Sequence, residues 1–573
     1  MSVLESPAAL VEVLHRLRAA LVEGSLPFEA ADAAVARAER DAVIKQLDDY
    51  IVPRLVQIDA PLLAVVGGST GAGKSTLVNS LVGTRVSQPG VLRPTTRSPV
   101  LVHNPQDARW FGTDRLLPDL IRTDHSTQDP GSLQLVATER VPAGVAILDA
   151  PDVDSVEERN RTLAAQLLAA ADLWLFVTSA SRYADQVPWN FLKAAAERST
   201  AVAVVLDRTT PAAVQEVSAH LARMLSSRGL GESPLFTVPE SAVDADGLLP
   251  AEAVAPIRGW LDSLAADSAA RAAVVRKTLD GALAALGQRS RVVASGLQTQ
   301  EQISARLRAD VVDAYADALE GFSESTRDGT LLRGEVLARW QEFVGTGELM
   351  RTLEDKIGRL RDRLVNAARG RSQPAQRLTV AVESGLETLI VEHAESAAER
   401  AALSWRSLPA GSQLLMTAPG DISRASRDFR SRVEQSVRDW QQSVMALVRT
   451  EGSDRRATAR FLAYGVNSLG VVLMVAVFSQ TAGLTGAEVG VAGGTAVLGQ
   501  RILEAVFGDQ AVRRLVEEAR EDLRQRVERD LFLPERQRFL DVVTASSLSV
   551  DAGERILELA REVEATRWEA TSV

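Results

Sequence analysis

At 573 residues the chain exceeds what one hydrophobic core organises, and about three or four domains are expected. It contains no cysteine, which excludes disulfides and thiolate metal sites, and its five histidines are scattered without metal-ligand spacing. A formal charge of −11 and an aromatic content of 4% argue against a nucleic-acid partner, whether through a general basic surface or through a base-stacking platform.

The N-terminal stretch "MSVLESPAALVEVLHRLRAAL" interrupts its apolar residues with charges, unlike a signal peptide, so a cytosolic start is the expectation. Residues 1–58 read as two amphipathic helices, the first carrying Leu10, Leu14, Leu17 and Leu21 on one face. A buried strand, "PLLAVV", follows. It runs into GxxxxGKS, made by Gly68, Gly73, Lys74 and Ser75, and then into the helical spacing of "LVNSLVG". Strand, loop and helix stand in the order that phosphate binding requires. The backbone of Gly68, Ser69, Thr70, Gly71, Ala72, Gly73, Lys74, Ser75 and Thr76 would curl around phosphate oxygens, helped by the positive end of the following helix. Lys74 would reach the β- and γ-phosphates and the Ser75 hydroxyl would ligate magnesium.

Downstream, "RPTTRSP" offers Thr96, with Thr95 second, as a metal ligand engaged only when a γ-phosphate is present. "AILDAPDVDS" reads as a strand ending in Asp149, placed to hold magnesium or its water shell. The β-rich runs "SPVLV", "GVAILD", "DLWLFV", "AVAVVL" and "PLFTV" alternate with helical stretches, so residues 59–262 are expected to form a doubly wound, mainly parallel α/β domain.

The phosphate loop with Asn79, taken together with "RPTT", "LDAPDVDS" and "SASRYADQVPW", resembles the bacterial dynamin-like family. The resemblance implies a GTPase domain that binds GTP, GDP and Mg2+, with Lys74 and Thr96 serving catalysis and Ser75, Thr96 and Asp149 the metal. It also implies pairing of heads into a homo- or hetero-oligomer, a lipid bilayer as partner, and the cytoplasmic face of the cell membrane as location. In the base pocket it places Asp207 and Arg208 of "LDRTTP", and the backbone of Ser241 and Ala242 in "ESAV". The chain departs from the pattern at three places. Asp207 and Arg208 stand at the first and stacking positions of the guanine loop, and Thr210 replaces its acid. Thr70 and Gly71 occupy loop positions that are usually polar. Asp152 replaces the glycine usual three positions after the strand-end aspartate. Asp207 is left between a base acceptor and a solvated loop acid, and slow intrinsic hydrolysis is expected.

Residues 263–455 are rich in Ala, Leu, Glu and Arg and read as a helical neck and stalk, and residues 509–573 as helices returning to it. Its "ERILELAREVEA" segment would pack beside the N-terminal helices. Between them, residues 456–508 carry an uncharged run from Phe461 to Ala487 and a shorter apolar piece ending at Gln500, flanked by Arg455, Arg456, Arg460 and Arg501. Such a run exceeds the roughly 18 residues that can cross the hydrocarbon core, so residues 461–507 are expected to form a membrane-inserting hairpin. A buried hairpin within a soluble bundle is the alternative. Two functions follow: a GTPase that remodels membranes, or a nucleotide-switch scaffold that recruits partners to them. An ABC-type ATPase is a weaker third, because no LSGGQ-like stretch follows the loop.

Overall fold

The computed structural model describes residues 7–88, 98–113, 117, 119–127, 129, 131–153, 158–197, 201–210, 212–328, 330–332, 334–345, 373–452, 466–478, 501–546 and 549–571. They divide into two compact units. One comprises residues 1–26, 31–299 and 549–573, and the other residues 27–30 and 300–548.

The first unit is built on an 8-stranded sheet in the order β3-β4-β2-β5-β1-β6-β7-β8. Its strands are β1 Leu62–Gly68, β2 Val100–His103, β3 Ile121–Thr123, β4 Ser132–Ala137, β5 Val145–Asp149, β6 Leu173–Ser179, β7 Ala201–Thr209 and β8 Leu235–Pro239. β1 pairs in parallel with β5 (Val66 opposite Asp149) and with β6 (Val66 opposite Leu175). β2 runs antiparallel to β5, so the sheet is mainly parallel, as expected. The sequence reading did not find β3, a three-residue strand, or β4, whose apolar run is interrupted by Gln134.

Every β1 residue is buried, as in a strand covered on both faces. Leu63 and Val65 share a core with Leu167 and Leu168 of α5 (Glu158–Ala169) and Leu192 of α6 (Gln186–Glu197). Leu62, Ala64 and Val66 face the opposite core, with Leu77 and Val78 of α4 (Lys74–Val82) and Ile257 of α8 (Ala251–Ala266). The two-residue period of a strand makes this division. α7 (Val214–Ser226) connects β7 to β8.

A third core joins α1 (Pro7–Glu23), α2 (Ala33–Gln46), the first half of α9 (Ser268–Arg327) and the C-terminal helix. Leu10, Leu14, Leu17 and Leu21 meet Ile556, Leu559 and Val563 there. The short α3 (Val52–Val56) is bound to the sheet by a buried polar network. Arg54 pairs with Asp172 at 2.9 Å. The Asp172 carboxylate also accepts from Tyr50 Oη (3.1 Å) and from the Leu63 backbone N–H (2.8 Å).

The second unit is helical: α10 Glu335–Gly345, α11 Gln373–Arg406, α12 Pro409–Thr417, α13 Phe429–Gly452, α14 Val466–Val477, α15 Asp509–Arg526 and α16 Leu533–Thr544, with the last part of α9. The C-terminal helix of the first unit is α17 (Ala552–Thr571). α13 buries a single stripe, Phe429, Val433, Val437, Trp440, Val444 and Val448. After its first turn α14 is apolar and buried on all sides, with Leu469 and every residue from Val471 to Phe478 in the core of this unit. Phe478 lies against Trp440, ring centroids 5.8 Å apart, and Arg520 of α15 donates to the Val477 carbonyl at 2.6 Å, capping α14. Ile502, Leu503 and Val506 join the same core.

The described parts of the expected hairpin therefore pack inside a helical bundle, the alternative left open by the sequence. Residues 453–465 and 479–500 lie outside the described residues. Among the described residues no helix is long and apolar enough to cross a membrane.

Candidate phosphate and metal site

Parallel strands bring their C-terminal ends together, and β1, β5, β7 and β8 each deliver predicted residues to that edge. Gly68 ends β1 at φ 151°, where a Cβ would collide with the Val177 carbonyl of β6. Gly73, at φ 92°, caps α4, and a Cβ there would collide with the Asp207 carboxylate. Both glycines are thus required, one by a neighbouring strand and one by its positive φ and the end of β7.

Lys74 folds back over the loop. Its ammonium donates to the carbonyls of Gly68 and Ser69, both at 3.1 Å, and pairs with Asp152 from the loop after β5. Ser75 Oγ donates to Asp149 Oδ2 at 2.6 Å, and Ser87 Oγ donates to the same oxygen at 2.6 Å. Asp149 is fully buried and its other oxygen, Oδ1, has no hydrogen-bond partner. Burial pushes this carboxyl above the usual carboxylate range, against the pull of Ser75, Ser87 and Lys74. A buried anionic oxygen left unsatisfied beside a serine hydroxyl fits a hard divalent cation or its water. Ser69 Oγ, in the loop between β1 and α4, is a second buried oxygen without a partner. Thr70 and Gly71 lie at the more open crest of the loop, Ala72 is buried beneath it, and Thr76 is half-buried in the first turn of α4.

Asn79 has a role that the sequence did not assign. Its Oδ1 accepts from the backbone N–H groups of Val86 and Ser87, both at 2.9 Å, and its Nδ2 donates to the Ser87 carbonyl at 2.8 Å. It thereby fixes the stem that leads toward Thr95 and Thr96, which lie outside the described residues. Ser87 itself was missed, and no motif marks it.

At the end of β7, Asp207 is only 4% exposed. Its Oδ1 accepts from the Arg208 backbone N–H at 2.8 Å, and its Oδ2 lies over Gly73. Burial pushes the Asp207 carboxyl up to about 6. The reading of Asp207 as a solvated loop acid is therefore wrong: the side chain is buried beside Gly73. Arg208 is exposed and sits at φ 52°, a conformation rare for residues other than glycine and asparagine. Ser241 and Ala242 follow β8, next to β7. Ser241 Oγ donates to the Pro239 carbonyl at 3.1 Å, and Ala242 is exposed.

No family model matches the chain. A curated relative, "Probable transmembrane GTPase FZO-like, chloroplastic" from Arabidopsis thaliana, is 25% identical over 143 residues. That match covers 25% of this chain and only 14% of the relative's length. Among solved structures, the chain is similar to one from an oligomerised bacterial dynamin pair described in connection with long-range sensing and tethering of membranes. The identity is 10%, the coverage 97% of this chain and 95% of that one, and the TM-score 0.47. It is also similar to the LeoA bacterial dynamin GTPase from ETEC, with 12% identity, 99% and 95% coverage and a TM-score of 0.23.

Proposed function

We propose that this chain is a dynamin-like GTPase that couples a nucleotide cycle to pairing of its heads and to tethering or remodelling of a membrane. The observation that supports this most is the meeting, at one sheet edge, of the phosphate loop, the Ser75–Asp149 pair and the Asp207–Arg208 turn. In this reading the loop backbone from Gly68 to Thr76 and Lys74 hold the phosphates of GTP or GDP. Ser75 and Asp149, joined by Thr96 when a γ-phosphate is bound, hold Mg2+, which would supply charge neutralisation to phosphoryl transfer. Arg208 offers a planar guanidinium to the base, and Ser241 and Ala242 a backbone edge. Asp207, buried beside Gly73, is the base acceptor in this reading. Residues 59–262 form the GTPase domain. Residues 1–58, 263–455 and 509–573 form neck and stalk, and 456–508 the tip that meets lipid at the cytoplasmic face. The burial of α14 in its bundle favours a second reading, a nucleotide-switch scaffold that reaches membranes without inserting.

Two measurements test the site. Lys74→Ala removes a charge-assisted contact worth about 1.5–3 kcal/mol, so affinity for GTP with magnesium should fall by about tenfold to a hundredfold, read by calorimetry with ATP alongside. Unchanged affinity would show that the loop does not hold phosphate. Thr96→Ala should spare GDP and weaken only the triphosphate state. Equal loss for both nucleotides would make Thr96 a structural residue. Liposome tethering or tubulation with GTP separates the remodelling enzyme from the scaffold, which should bind vesicles without changing them.

A further inference from the structure

We propose that Asp152 is a built-in phosphate mimic that competes with nucleotide phosphate for Lys74 and sets how strongly the site prefers diphosphate over triphosphate. The inference rests on the phosphate-site reading above. An ammonium has only three N–H donors. Here the Gly68 carbonyl, the Ser69 carbonyl and the Asp152 carboxylate take all of them. Two of these partners are loop carbonyls, and only the third carries charge. The side chains of Lys74 and Asp152 are 5% and 12% exposed, so the pair is shielded from the screening that weakens surface pairs.

The loop that presents Asp152 is itself laid against the phosphate loop. Ala150 N donates to the Val66 carbonyl at 3.2 Å, and Val153 N to the Gly68 carbonyl at 3.4 Å. The carboxylate thus stands on the side of Lys74 that follows the metal-site strand, where a γ-phosphate would be held. A triphosphate must take Lys74 from Asp152 and then tolerate a second anion beside it. A diphosphate, ending one phosphate short, meets less of that conflict. A glycine at this position would impose neither cost.

The test is Asp152→Asn, which keeps the shape and an acceptor while removing the charge, with Asp152→Gly as a second variant. Affinities for GDP and for a non-hydrolysable GTP analogue, each with magnesium, are measured by calorimetry, with the adenine pair run alongside. The triphosphate-to-diphosphate affinity ratio should rise by about tenfold or more in both variants. The melting temperature without nucleotide should fall, and its upward shift on adding the analogue should grow. A ratio unchanged or lowered in a folded variant overturns the proposal while leaving the phosphate site standing. If wild type and both variants bind no nucleotide at all, the site reading fails, and the proposal falls with it.

Discussion

Val472→Arg should unfold the helical unit before it affects anything else. Val472 is 1% exposed, in the middle of α14, and the core of α11, α13 and α15 surrounds it. A guanidinium placed there would lie among the aliphatic and aromatic side chains of that core. An uncompensated buried charge costs about 3–5 kcal/mol, and the added volume about 1–3 more. Against a typical total stability of about 5–15 kcal/mol this is enough to abolish cooperative melting of the unit. Calorimetry in detergent-free buffer would detect it. The same substitution distinguishes the docked helix from an inserted one. In lipid an arginine at mid-bilayer costs about 2.5–3.5 kcal/mol of insertion, so vesicle flotation in high salt would fall while melting in buffer stayed unchanged. That second pattern would show that α14 belongs to the bilayer and not to the bundle.

Asp172→Ala should lower the stability of the unit built on the 8-stranded sheet by about 3–5 kcal/mol. The carboxylate is 2% exposed and is the counter-ion of Arg54, itself 5% exposed. Removing it strands a guanidinium in the interior. It also leaves the Leu63 backbone N–H and the Tyr50 hydroxyl without the acceptor that each uses. Burial already pushes the Asp172 carboxyl up, against the pull of Arg54, so the pair is held by its surroundings rather than by Coulomb attraction alone. Asp172→Asn keeps the acceptor and should lose less. The check is the urea midpoint at unchanged slope. A loss under about 1 kcal/mol would mean that water reaches Arg54. Because Leu63 lies on the strand that ends in the phosphate loop, nucleotide affinity should fall together with stability.

The phosphate loop was legible because its residues are contiguous. Gly68, Gly73, Lys74 and Ser75 share a backbone path only a few residues long between β1 and α4, so spacing alone encodes the geometry. Asp149 was legible because the end of a buried apolar strand in a parallel sheet is a fixed address. The same rule found β1, β2, β5, β6, β7 and β8 but not the three-residue β3 or β4, whose apolar run is interrupted by Gln134. Amphipathic spacing likewise marked Leu10, Leu14, Leu17 and Leu21 as one buried face. Other features needed the folded chain, because their partners are distant in sequence. The Lys74–Asp152 and Ser87–Asp149 contacts join segments that meet only when β1 and β5 pair. Asp207 was read by its place in a motif, yet its burial beside Gly73 is something that no local pattern records. Composition could not decide the fate of α14. An apolar helix gains by leaving water whether lipid or protein receives it, and only the surrounding stripes of α11, α13 and α15 place its described residues inside a bundle.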